Sequence, residues 1–228
     1  MAGPSMDYDS RPERYRLGVG VAGACATADL HAWVVDLLRD DAPGLVLEVG
    51  CADGPLARAA SPEQWQVVGV DRAATLLHEH PGSAVLADAA RLPFGDKVCD
   101  AVTAVNVLYH LDAPVEAIAE AHRVLRPGGR FIASAIARSD SPELRDYWTR
   151  PPTSFDSEDA PVQVAEIFGT VDVLPWDAPL VVLPDRDAVR DYLLGRQAST
   201  GQAEHAAGEL PTPLRVTKRG ALLSAHRR

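Results

Sequence analysis

The sequence predicts a doubly wound α/β fold: a mostly parallel, seven-stranded sheet with helices on both faces and an antiparallel C-terminal hairpin. Three observations predict it. Short, almost wholly apolar runs at Leu45–Val49, 66–70, 84–87, 101–107 and 130–135 have the composition of strands buried on both faces. Segments of helical character stand between them, and such alternation builds parallel sheets through right-handed crossovers. Near the end of the chain, 214–217 and 221–225 flank Lys218-Arg219-Gly220, a hairpin-like pattern that supplies the antiparallel pair.

The elements follow in order. The first 16 residues are polar and read as an arm. Over 26–38, Leu30, Trp33, Val34, Leu37 and Leu38 recur at helical spacing, and Pro43-Gly44 ends that helix. Helices are expected at 55–60 and 73–79 after the first two strands. The pattern predicts a further helix over 114–125, with Asp112 as a cap, Pro114 in the first turn and Pro127-Gly128-Gly129 as the stop. Beyond residue 135 the pattern changes: a polar stretch to 159, a helix at 162–168, strand-like runs at 170–174 and 180–183, a helix at 185–194, and a long loop over 195–211.

With 228 residues the chain suits one domain, divided as 1–43 (arm and helix), 44–136 (core) and 137–228 (variable region and hairpin). Hydrophobic residues at 46% and charged residues at 24% are the balance of an ordinary globular protein. A formal net charge of −10 argues against nucleic acid, which demands a basic stripe. No run approaches a membrane span, and the N-terminus lacks an apolar signal region, so no membrane partner and a cytoplasmic address are expected. Cys25, Cys51 and Cys99 have neither disulfide nor zinc spacing, and the histidines show no ligand pattern, so no metal is expected.

In doubly wound sheets, ligands bind beyond the carboxyl ends of the strands. After the first strand comes Glu48-Val49-Gly50-Cys51-Ala52-Asp53-Gly54, a glycine turn that lets backbone approach a ligand. A dinucleotide fingerprint would need glycines at 52 and 55, where Ala52 and Pro55 stand. Asp71, after the second strand, can accept two ribose hydroxyls; the alternative is a helix N-cap. Asp88-Ala89 follows the third strand, placed for an adenine amino group, and Asn106 to His110 follow the fourth.

Taken together, 46–54, 68–71, 87–94, 106–110 and 122–131 resemble, in order and spacing, the successive motifs of class I S-adenosylmethionine-dependent methyltransferases, in the small-molecule branch typified by the methyltransferase-domain-11 type. The resemblance implies a Rossmann-like methyltransferase fold with S-adenosyl-L-methionine as cofactor. It implies that Glu48, Gly50, Cys51, Ala52 and Gly54 surround the methionine portion, that Asp71 holds the ribose, and that Arg72, Asp88 and Ala89 lie at the adenine. Asn106 would lie near the sulfonium. Ala52 departs from the usual glycine, which implies altered loop geometry.

Methyl transfer needs orientation above all, and a general base only when the acceptor must lose a proton. His110 is the candidate base. A small-molecule acceptor would be chosen by the arm and by 138–211, where Trp148, Phe155, Phe168 and Trp176 supply apolar surface and Tyr8, Tyr15 and Tyr109 could join them. The sequence leaves open the acceptor, the atom methylated and the choice between monomer and homodimer. It also leaves open non-methyl-transfer chemistry, such as a cyclisation or decarboxylation, and a non-catalytic cofactor-binding partner role.

Overall fold

The computed structural model describes residues 12–228. Seven strands form one sheet in the order β3-β2-β1-β4-β5-β7-β6. The first five are β1 (Leu45–Val49), β2 (Gln66–Asp71), β3 (Ser83–Leu86), β4 (Cys99–Ala104) and β5 (Leu125–Ile136). They run parallel, and the chain reverses its direction of travel across the sheet between β1 and β4. Val46, Leu47, Ala101, Val102, Ile132 and Ala133 are fully buried, which is why these strands read as unbroken apolar runs.

Helices α1 (Pro12–Cys25) and α2 (Leu30–Arg39) precede these strands in the chain, α3 (Pro55–Ala59), α4 (Ala74–Leu77) and α5 (Pro114–Val124) connect them, and α6 (Ala160–Phe168), α7 (Arg186–Gly195) and α8 (Thr200–Glu209) follow. Asp29 caps α2 by accepting the His31 amide at 2.8 Å, so that helix starts at Leu30 and not at 26. The polar arm is helical from Pro12; Tyr8 lies outside the described residues. Residue 113, not Asp112, occupies the N-cap of α5, without a side-chain bond.

The antiparallel pair exists but is not the expected hairpin. Strand β7 (Leu214–His226) runs unbroken through Lys218-Arg219-Gly220 and lies antiparallel between β5 and β6 (Asp172–Leu183). Gly220 is there for packing: a Cβ would come within 2.4 Å of both the Ala135 carbonyl oxygen and the Trp176 ring. The runs at 170–174 and 180–183 merge into β6 across an irregularity between Ala178 and Val181. The predicted loop over 195–211 contains α8, started by a capping box in which Ser199 and Gln202 bond reciprocally. Its buried face consists of Ala203, Ala206 and Ala207, too weakly hydrophobic to show as a stripe. Among the described residues no helix is long and apolar enough to cross a membrane.

Two buried carboxylates organise the frame. Asp156 is wholly buried and accepts bonds from Arg150 Nη1 at 2.6 Å, Thr153 Oγ1 at 2.6 Å and Arg138 Nε at 3.1 Å. Replacing Asp156 with Ala strands Arg150, whose side chain is 12% exposed, and should cost about 3 kcal/mol in urea denaturation; a loss within 0.5 kcal/mol, roughly the scale of a surface change, would contradict this role. Glu48, on β1, accepts the Leu56 amide at 3.1 Å at the start of α3, and burial pushes its carboxyl up to about 8 against that stabilising bond. Between the ordinary 4.5 and about 8 the folded chain therefore retains a proton that the unfolded chain releases. Stability should fall as pH rises through this window, and Glu48→Gln should remove that part of the slope. Identical pH dependence in the two proteins would refute it.

Candidate functional site

A cleft of about 1350 Å³ opens at the carboxyl ends of β1, β2 and β4, where the strand order reverses. One wall is the β1–α3 loop. Gly50 takes φ +70°, its amide donates to the Val70 carbonyl at 2.7 Å, and a Cβ there would sit 2.4 Å from Val107. Ala52 is also left-handed, at φ 45°, a conformation that costs a residue with a Cβ roughly 1–2 kcal/mol. Asp71 holds it there: Oδ2 accepts the Ala52 amide at 2.8 Å and Oδ1 accepts the Ala73 amide at 2.9 Å. Asp71 does not cap α4, whose N-cap is Ala73 without a side-chain bond, and its carboxylate, at the cleft wall, keeps acceptor capacity beyond those two bonds.

Eight of the candidate residues line the cleft: Gly50, Ala52, Asp71, Arg72, Asp88, Ala89, Asn106 and His110. Asp88 closes a local turn by accepting the Ala90 amide at 2.9 Å. Asn106 takes φ 56°, and its amide donates to Ser134 Oγ at 2.8 Å. The other three do not line it. Glu48 points at the amides of α3, Cys51 is fully buried, and Gly54 makes room for His80, whose ring would lie 2.6 Å from an added Cβ. These three shape the loop from behind: Glu48 and Cys51 turn their side chains into the core, and Gly54 leaves its space to His80. Burial raises the Cys51 thiol well above its ordinary range, so it is a packing residue and not a nucleophile.

His110 ends a 3-10 turn (Leu108–His110) beside Tyr109, with ring centroids 4.2 Å apart. Burial, then the charges of Arg72 and Arg150, push His110 down to about 4, so the imidazole is neutral at neutral pH. Of the aromatic residues expected around an acceptor, Trp148 and Trp176 line the cleft, whereas Phe155 and Phe168 are core. Helix α1 roofs it through Tyr15, Gly18, Val19 and Ala22, and the Tyr15 hydroxyl donates to Asp53 Oδ1 at 2.6 Å. Sequence reasoning missed Arg150 and Arg196, which also line the cleft; neither stands in a motif, and only the fold brings them to Tyr109.

The groups present suit a nucleoside carrying a short amino-acid arm: a backbone cradle at Gly50 and Ala52, a carboxylate after β2, and a second after β3. Comparison with known proteins agrees. Residues 47–133 match the family described as "Methyltransferase domain". The chain is 30% identical over 141 residues to a ubiquinone/menaquinone biosynthesis C-methyltransferase of Desulfotalea psychrophila, covering 57% of each. It is 29% identical over 153 residues to a malonyl-[acyl-carrier protein] O-methyltransferase of Hahella chejuensis, covering 60% of this chain and 55% of that one. The chain thus spans little more than half the length of these curated relatives. Its fold is that of the [4+2]-cyclase SpnF, with TM-score 0.65 and 18% identity, covering 97% of this chain and 95% of that one. With the cleft, the strand-end motifs and the family match in agreement, residues 47–133 carry a methyltransferase domain of the class I type, whose cofactor is S-adenosylmethionine.

Proposed function

We propose that this chain transfers the methyl group of S-adenosylmethionine to a small organic acceptor in a biosynthetic pathway of specialised metabolism. The observation that carries this reading is the meeting of Gly50, Asp71, Asp88 and Asn106 with an aromatic chamber in one cleft. The cofactor supplies an electrophilic methyl on a sulfonium. Asp71 would accept the ribose hydroxyls, Arg72, Asp88 and Ala89 would border the adenine, and Gly50 and Ala52 would offer backbone to the methionine arm. Glu48, Cys51 and Gly54 hold that loop in shape. Asn106, which the resemblance puts near the sulfonium, lines the same cleft.

Several features support a small acceptor. The roof of α1 and the wall at Trp148 enclose the chamber, and the net charge of −10 disfavours a polyanion. The three cysteines are free, which fits a reducing cytoplasm. His110, neutral and facing the cleft, is the group in place to take a proton from the acceptor, and with its value near 4 it suits an acceptor that is itself acidic. The likeness to a cyclase favours a second reading, in which the bound cofactor is a structural element and the chamber performs a ring closure. Transfer of labelled methyl to any acceptor separates the two.

Calorimetry with S-adenosylhomocysteine tests cofactor binding, and absence of binding would sink both readings. Asp71→Ala should weaken it by about 1–3 kcal/mol, and unchanged affinity would reject the ribose assignment. Once an acceptor is in hand, His110→Ala should lower turnover by about 100-fold or more. The His110-dependent limb of the pH–rate profile should fall near pH 4. A limb near 6.5 would show instead an ordinary, solvated imidazole.

A further inference from the structure

The acceptor half of the cleft is lined by two arginines, of which only Arg150 has an ion-pair partner among the described residues. Arg150 and Arg196 both line it, and both are near enough to lower the Tyr109 hydroxyl against the opposing effect of its burial. The Arg150 guanidinium lies 5.8 Å from the Tyr109 ring centroid, held by Asp156 and by the Ile136 carbonyl at 3.3 Å. That carboxylate also meets Arg138, which has Asp159 as a second partner. Arg196 lies over the Tyr192 ring, 3.3 Å from its centroid, and donates to the Tyr192 carbonyl at 3.3 Å. No ion pair to Arg196 occurs among the described residues.

The acids that line the same space, Asp140, Asp112 and Glu116, form no ion pair with Arg150 or Arg196 among the described residues. Asp140 is taken up by Lys218 and by the Arg219 amide, 2.8 Å away. Asp112 and Glu116 sit around the N-terminus of α5. A half-buried guanidinium at the cleft wall with no acid beside it favours an anionic ligand, and a carboxylate matches the guanidinium fork.

We propose that the acceptor is a small organic acid whose carboxylate is held between Arg150 and Arg196, its unsaturated or aromatic body lying against Tyr109 and Trp148. This rests on the methyltransferase reading, in that it takes this half of the cleft as the acceptor's. Asp156 is then a positioning residue: with Thr153 it fixes Arg150 before the acid arrives, so that little side-chain entropy is lost on binding.

The test is titration of the full chain, with S-adenosylhomocysteine present, against 4-hydroxybenzoate, 4-hydroxybenzamide and 4-hydroxybenzylamine, followed by Trp fluorescence and ligand-observed NMR. The acid should bind at least about tenfold more tightly than the amide, and the amine most weakly. Arg196→Gln should remove the acid's advantage while leaving affinity for the amide and for S-adenosylhomocysteine unchanged. Should that variant fail to fold, Arg196→Lys, which keeps the charge and loses the fork, should reduce the advantage in part. Equal binding of acid and amide, preference for the amine, no binding of the acid at millimolar concentration, or an acid preference indifferent to Arg196 would each overturn the proposal. Failure to bind S-adenosylhomocysteine would instead strike the methyltransferase reading, and the acid-to-amide ratio of the wild-type chain is read separately.

Discussion

The site depends on one carboxylate. Asp71 accepts amides from two loops at once, Ala52 after β1 and Ala73 before α4, and so fastens the ends of neighbouring strands into a single rigid rim. The bond to Ala52 has a specific burden, because it holds a residue with a side chain in the left-handed region that glycine enters freely. The buried Glu48 works on the same loop from below, anchoring α3 so that the turn between Gly50 and Gly54 has two fixed ends. A cradle assembled this way exists before any ligand arrives, which is what close backbone approach to a ligand requires.

The parallel core was legible because its burial is two-sided. Leu45–Val49 and the apolar runs in β2, β4 and β5 are interior strands, whereas the run at 84–87 belongs to the edge strand β3; Gly50 directly follows β1, Asp71 closes β2, and Asp88 and Asn106 come two residues after β3 and β4. The C-terminal third was less legible for the opposite reason. Strand β6 is an edge strand whose first half is exposed, so its composition is mixed and the run broke at Pro175 and Asp177. Gly220 resembles a turn signal, yet it is a glycine because Trp176 crosses it. Helix α8 buries only alanines, and alanine carries little hydrophobic signal.

The same division holds within the site. Asp71, Asp88 and Asn106 could be named as cleft residues in advance because position at a strand end sets where a side chain lies. Glu48, Cys51 and Gly54 belong to the same motif, yet a motif gives membership of a loop and not the direction of each side chain. Arg150 and Arg196 lie 46 positions apart in the sequence and meet at Tyr109 only through the packing of the second half of the chain. What this half of the cleft adds is electrostatic: an acidic chain lines it with Arg150 and Arg196 as well as a neutral imidazole.

The central claim is that the cleft rimmed by Asp71 is the cofactor site. The most direct measurement is a crystal structure of the chain grown with S-adenosylhomocysteine. The account predicts the ribose hydroxyls on the Asp71 carboxylate, the adenine beside Asp88 and Ala89, and the sulfur facing the chamber of Tyr109 and His110. A nucleoside bound elsewhere, or seated in the cleft without contact to Asp71, would contradict it.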